Sequence, residues 1–561
     1  MKKIYWGILF LIAFMASCED FLDTKNLTQK DSSNFPKTVD DISQSLVGVY
    51  SVFLNDLGQN SSLMFSEILS DDRFGGGGDN DRKVQALNLF LKTDDNMFAD
   101  LWKNQYTGIF RANSLLESIE YVQNWNSESQ KAQIKGEALF LRAYLYFDLC
   151  RVFGTVPLVL TTEAVNNPRA TPEALYAQIG RDLKEAIEIM PTTSFGTSGA
   201  PTLGHATKWA AEALMARVFL FYTGYYQKEE ISLEDGDNIS RQQVITWVED
   251  CINNSGHGLL SDFRNLWPYS NALTVPDYGW AKKNNLSWAG EEGGTKETVF
   301  AIKFSSLGWG NCHRTICHLS LRSQPDYKKT FPFGSGWGVA PVSSELWKEW
   351  EIKEPDDIRR TGSILDVMSP EENIEYTWGC DKQMEECGYW QKKYTAINHK
   401  KEDGGVENYS VPMYGATPDY QIDNTQDWVI IRFADVLLMA AELKKEVAYL
   451  NAVRERAGLK PLASYSLPAL QDERRWELAF EGIRYYDLLR WGIAEEALQK
   501  QNGVKIKNRG IDAVMDMKNI KQRVHDTGGF MQIPQTQIDL SNGVLVQSPG
   551  WTGGDLLYTG Y

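Results

Sequence analysis

Apolar residues recur at helical spacing over several long segments of this chain. Gln133–Phe153 is apolar on most faces, and Gly154 and Pro157 punctuate its end. A helix that is apolar nearly all round is buried between neighbours. Ala206–Tyr222 reads the same way and stops at Gly224. Leu175–Met190 supplies a helix between them, and Leu101–Tyr121 one before. Later helices are predicted from about Ala434 to Ala457 and from about Leu470 to Trp491. Two segments align: Glu137-Ala-Leu-Phe-Leu-Arg142-Ala-Tyr-Leu-Tyr-Phe147 with Glu212-Ala-Leu-Met-Ala-Arg217-Val-Phe-Leu-Phe-Tyr222. The offset of 75 residues is two units of about 37, near the roughly 34-residue period of tetratricopeptide repeats. Matched Glu, Arg and aromatic positions favour a repeat over chance likeness among Ala- and Leu-rich helices.

The pattern breaks between about Asp262 and Gln391, where glycine, proline and tryptophan interrupt any period. Residues 503–561 are short, alternating and turn-rich. The predicted fold is therefore mostly α. A tetratricopeptide-like helical scaffold over about 35–260 and 425–500 is interrupted by a large, irregular, loop-rich insertion at about 262–424, with few short strands. At 561 residues, length alone suggests about three or four domains; the pattern suggests one, spanning 18–561. Nine of the 18 tryptophans lie in Phe263–Trp390, under a quarter of the chain. The aromatic excess thus sits outside the helical scaffold. Irregular loops on a rigid scaffold are where binding sites concentrate.

The formal net charge of −17 argues against a nucleic-acid partner, which selects a basic face, and against anionic membrane surfaces. Lys2 and Lys3 precede an uncharged run of 13 residues, Ile4–Ala16. That is too short to span a bilayer but fits a secretory signal. Met15-Ala16-Ser17-Cys18 resembles a bacterial lipobox, which makes residues 1–17 a signal peptide and Cys18 the lipidated first residue. The mature chain would then be lipid-anchored. Losing Lys2 and Lys3 leaves it at −19. Glu19, Asp20 and Asp23 follow closely and resemble a surface-export signal.

Several constellations suggest chemistry. Glu473, Glu477, Glu481 and Asp487 alternate with Arg474, Arg475, Arg484 and Arg490 in one predicted helix. Paired carboxylates can serve a glycoside hydrolase as acid and base. The favoured reading is structural, with ion pairs such as Glu481–Arg484 and Arg484–Asp487. Gly482 sits mid-helix in this reading, at a cost of about 1 kcal/mol relative to Ala. Gly75-Gly-Gly-Gly78, flanked by Asp71, Asp72, Asp79 and Asp81, lacks the Lys and Ser/Thr of a phosphate loop. It admits a structural calcium, although the spacing matches no EF-hand; otherwise no cofactor and no metal is expected. Cys312-His313 and Cys317-His318 are too cramped for one tetrahedral zinc. In an exported protein, disulfides Cys312–Cys317 and Cys380–Cys387 are expected instead, with Cys150 and Cys251 as buried thiols. No nucleophile elbow and no His-Glu-x-x-His motif is present.

Glu473-Arg-Arg-Trp-Glu-Leu-Ala-Phe-Glu-Gly-Ile-Arg-Tyr-Tyr-Asp-Leu-Leu-Arg-Trp491 resembles the signature helix of the SusD/RagB family of Bacteroidetes outer-membrane nutrient-binding lipoproteins. Arg142-Ala-Tyr-Leu-Tyr-Phe147, Phe153-Gly-Thr-Val-Pro157, Arg432-Phe-Ala-Asp-Val-Leu-Leu-Met439, Val453-Arg-Glu-Arg-Ala-Gly458 and Ile533-Pro-Gln-Thr-Gln-Ile-Asp539 agree, in the right order. His205 stands where the family usually has Arg, and Gln547-Ser548-Pro549-Gly550 where it usually has Gln-Asn-Pro-Gly. The resemblance implies a non-catalytic surface protein that captures oligosaccharides and hands them to a SusC-like TonB-dependent outer-membrane transporter. It also implies that the loop after Ser70-Asp71-Asp72 lines the ligand site, which makes Asp72 and Phe74 candidate sugar contacts. Trp309, Trp337, Trp390 and Tyr394 are the candidate stacking platforms. A surface glycoside hydrolase and a peptide-capturing relative are the alternatives.

Overall fold

Side-chain caps set the starts of the scaffold helices. The computed structural model describes residues 36–55, 58–233 and 236–560; Cys18 and the apolar run before it lie outside the described residues. Thr38 and Asp41 form a capping box before α1 (Val39–Tyr50). Ser127, Thr171, Thr207 and Ser240 each accept a backbone N–H at the starts of α3 (Glu128–Phe153), α4 (Pro172–Ile189), α5 (Lys208–Tyr225) and α6 (Arg241–Asn254). With α2 (Ala99–Ser118), these six pack in sequence, each on the next. Every residue of α3 from Gly136 to Phe153 is buried, as its all-round apolar pattern requires.

The aligned segments play parallel roles. Arg142 of α3 pairs with Asp182 of α4 at 2.7 Å, and Arg217 of α5 pairs with Asp435 of α7 at 2.5 Å. α7 (Phe433–Lys444) packs on α6 and on α8 (Val447–Arg456) and α9 (Leu467–Glu477), while α10 (Arg484–Arg490) packs on α5. The helix predicted over Ala434–Ala457 is thus two, divided where Lys445 turns left-handed at φ +57°. The one predicted over Leu470–Trp491 is also two, divided at Phe480 (φ +66°) and Gly482 (φ +74°).

Between α6 and α7 run short strands, loops and short helices, the longest of them Ser344–Lys353. The strand pairs are two-stranded. The longest of them in this stretch stitches it to the scaffold: β1 (Thr298–Ile302) pairs antiparallel with β2 (Trp428–Arg432), with an irregularity after Val429. Phe300 packs edge-on against Phe140 of α3 at 4.8 Å. β2 runs directly into α7. Among the described residues no helix is long and apolar enough to cross a membrane.

A buried ionic lattice joins these parts. Glu477 receives Arg359, Arg432 and Arg456; Glu473 receives Arg359 and Arg454; Glu481 receives Arg432 and Lys393. Three guanidinium groups hold the Glu477 carboxyl well below the usual carboxylate range against its own burial. The lattice is tertiary. Arg484 reaches Asp71 at 2.7 Å, and Asp487 takes Arg474 and Arg490, both at 2.8 Å. The short-range pairs Glu481–Arg484 and Arg484–Asp487 therefore do not form. The turn between α9 and α10 separates Glu481 from Arg484; within α10, Arg484 is drawn to Asp71 and Asp487 pairs instead with Arg490, three residues on, and with Arg474.

Candidate functional site

The exposed aromatic surface of the insertion begins in the loop 305–312. Ser305 N–H donates to the Asn311 carbonyl at 2.8 Å, and Asn311 and Cys312 N–H both donate to the Gly308 carbonyl at 3.0 Å. This tight closure pushes Leu307 and Trp309 outward; Trp309 is 58% exposed. The chain then enters a short helix, Arg314–Leu319. The Arg314 guanidinium lies 4.2 Å from the Trp309 ring centre and 5.3 Å from that of Trp337. Its Nη1 donates to the Gln421 carbonyl at 3.2 Å. One turn further on, His318 packs edge-on against Trp337 at 4.4 Å.

Trp337 reaches this place through backbone pairing. Ser335–Gly336 runs parallel to Leu321–Arg322, and Trp337 N–H donates to the Cys317 carbonyl at 2.8 Å. A Cβ on Gly336 would meet that carbonyl at 2.3 Å, so only glycine lets the strand lie against the helix. Arg322 Nη1 donates to the Trp337 carbonyl at 2.8 Å and to Asp81 at 3.2 Å. The glycine-rich loop is linked to the Trp337 backbone only indirectly, through Asp81 and Arg322. The result is an open indole, a half-buried indole, and a guanidinium between them. Such a surface stacks on flat apolar faces and donates hydrogen bonds at its rim.

Of the six ligand candidates, only Trp309 and Trp337 come together at a surface. Asp72 is buried and receives Arg475 at 2.7 Å. Burial pushes its carboxyl up, opposed by that guanidinium. Phe74 is fully enclosed. Trp390 is 2% exposed in the strand Tyr389–Gln391. Tyr394 is 0% exposed, accepts the Val429 N–H at 3.2 Å through its hydroxyl, and packs edge-on against Trp267. These four offer no face to a ligand: Asp72 is spent on Arg475, Phe74 is buried in the core beside it, and Trp390 and Tyr394 fill the core of the insertion. Arg314 escaped the sequence reading; nothing in its neighbourhood distinguishes it from other loop arginines.

The expected disulfides are not formed. The six described cysteines are thiols, and Cys387 Sγ donates to the Val342 carbonyl at 2.8 Å rather than bonding Cys380. Cys312 and Cys317 are buried in the platform's base. His313 Nδ1 lies 2.9 Å from the Gln426 carbonyl, with its ring stacked on Phe304 at 4.3 Å. Asp71 and Asp72 meet Arg475, Asp79 meets Lys382 and Arg509, and Asp81 meets Arg322. Among the described residues no group of three or more His, Cys, Asp or Glu side chains converges as metal ligands do.

Family comparisons agree with the architecture. A SusD-like family model described as starch-binding associating with outer membrane matches residues 20–220, and the model of the SusD family matches residues 296–551. The chain belongs to the SusD/RagB family. SusD-like protein P2 of Formosa agariphila is 25% identical over 531 residues, covering 88% of this chain and 92% of the relative. A solved laminarin binding SusD-like protein is 27% identical with a TM-score of 0.68, covering 92% of this chain and all of the other. Surface glycan-binding protein A from Bacteroides thetaiotaomicron, solved with laminarihexaose, shares the fold at 20% identity and a TM-score of 0.69, over 91% and 100% of the two chains. Within this family likeness, the signature stretch Glu473–Trp491 is a fold device here: its carboxylates neutralise buried arginines.

Proposed function

We propose that this protein is a non-catalytic, surface glycan-binding lipoprotein. It is anchored in the outer membrane through Cys18 and faces the cell surface. It captures oligosaccharides on the Trp309–Arg314–Trp337 platform and delivers them to a SusC-like TonB-dependent transporter. The observation that carries the reading is the exposed Trp309 ring, backed by Arg314 on one face and left open to solvent. Sugar rings present apolar C–H faces that stack on such an indole, and their hydroxyls accept from a nearby guanidinium. The name of the laminarin-binding relative supports a neutral glucan as the first ligand to try. Hydrolysis finds no support in the conspicuous carboxylates, since Glu473 and Glu477 are wholly buried among arginines.

Affinity gel electrophoresis through laminarin and a panel of other neutral polysaccharides tests this. Trp309→Ala and Trp337→Ala should each weaken retention about tenfold, or about 1.4 kcal/mol. No new reducing ends should appear on long incubation. Full retention by the double variant refutes the platform, and reducing ends abolished by a single carboxylate substitution refute the non-catalytic reading.

A further inference from the structure

A cavity of about 430 Å³ lies beside the β1–β2 ribbon, apart from the platform. None of Trp309, Arg314 and Trp337 lines it. The two places share one wall: Phe304 borders the cavity and stacks on His313, the residue before Arg314. The volume is that of a small-ligand site.

Four aromatic rings, Trp267, Trp288, Phe304 and Tyr414, line it among polar and charged groups. Trp288 is held by its edges, with Nε1 donating to the Leu266 carbonyl at 3.2 Å and Tyr409 packed edge-on at 5.5 Å. Tyr414, at the exposed rim, donates its hydroxyl to the Glu291 carbonyl at 2.7 Å and so fixes the opposite loop. Two buried wall residues carry a polar atom with no protein partner: the Trp267 indole N–H, a donor, and Gln426 Oε1, an acceptor. Both atoms lie beneath the cavity surface, so the aromatic walls and the rim groups, not these two atoms, are what a ligand meets.

The charges select against an anion. The lining cations are already engaged: Lys303 by Asp427 at 2.5 Å, and Arg432 by Glu297, Glu477 and Glu481. Glu291 and Glu292 add negative charge at the rim. A sulfate, phosphate or uronate would meet carboxylates and spent cations.

We infer that this cavity is a second sugar site, taking the neutral terminal or branch residue of a glycan. It rests on the glycan reading above, and it divides the labour: the open Trp309 face takes one stretch of the glycan, and this half-open cavity a residue that can turn into it.

Calorimetric titration of the full chain with laminaribiose, cellobiose and maltose tests it. For a sugar that binds, about two molecules per chain are expected. Trp288→Ala and, independently, the rim substitution Tyr414→Ala should each reduce this to one. The double variant Trp309→Ala, Trp337→Ala should lose the other. Tyr414 is at the surface, so its variant keeps the fold, which an unchanged unfolding midpoint verifies. A single site that is lost in the platform variant and untouched by both cavity variants overturns the second site and leaves the platform standing. No heat with any of the sugars, in a chain that no polysaccharide gel retards, overturns both readings.

Discussion

Two glutamates at aligned positions of the repeat are met by different partners. Glu137 accepts from the Tyr50 hydroxyl at 2.6 Å and from Gln133 at 2.8 Å, and lies 2.8 Å from His205 Nδ1. Glu212, also fully buried, has Lys208 no nearer than 3.5 Å. Burial pushes the Glu212 carboxyl up to about 9, with Lys208 opposing and Asp250 adding to the shift. An unfolded glutamate titrates near 4.3. Between those values the folded chain keeps a proton that the unfolded chain has lost, so stability is full below about pH 4 and falls as pH rises toward 9. Glu212→Gln keeps the shape and removes the titration. At pH 7.5 it should stabilise the protein by about 1–3 kcal/mol, and below about pH 4 the two chains should coincide. Urea unfolding across pH measures this; parallel profiles for the two chains would sink the assignment.

At the scale of elements, the signature stretch was legible as helix but not as two helices. The helical spacing of apolar and charged residues persists through Leu470–Trp491, so periodicity alone joins α9 to α10. The division comes from tertiary demands. Gly482 N–H donates to Glu67 at 2.8 Å, and the turn presents Glu481 to Arg432 and Lys393. This reverses a sign. In a continuous helix, Gly482→Ala would stabilise by about 1 kcal/mol. In the structure the residue sits at φ +74°, and an added Cβ would lie 2.8 Å from Leu63 Cδ1. Left-handed strain of about 1–2 kcal/mol and overpacking of about 1–3 kcal/mol then combine, so the substitution should cost about 2–5 kcal/mol. A denaturation midpoint that rises instead would restore the unbroken helix. The scaffold elements α3, α4 and α5 were legible for the complementary reason: their caps and burial are local, so the spacing of residues already contained them.

For the whole molecule, the legible and illegible parts divide by the kind of contact. The helical scaffold follows from short-range periodicity. The insertion follows from long-range pairings such as Ser335–Gly336 on Leu321–Arg322, which no window of sequence displays. Its aromatic richness pointed to a binding surface, yet Trp390 and Tyr394 turn inward and Trp309 outward, a choice made by the loop closures around them. Net charge acts on the same scale. A chain of formal charge −17 repels polyanions at long range, and salt screens that repulsion over about 10 Å at 0.1 M. Stacking of a neutral sugar on an indole involves no such field. Retention by laminarin gels should therefore stay within about twofold between roughly 0.05 and 0.5 M salt, while a sulfated glycan, if retained at all, should bind more tightly as salt rises. Laminarin retention that collapses with added salt would mean that a screened charge interaction, and not stacking on Trp309, holds the neutral glycan, and the aromatic platform would fail as the binding surface.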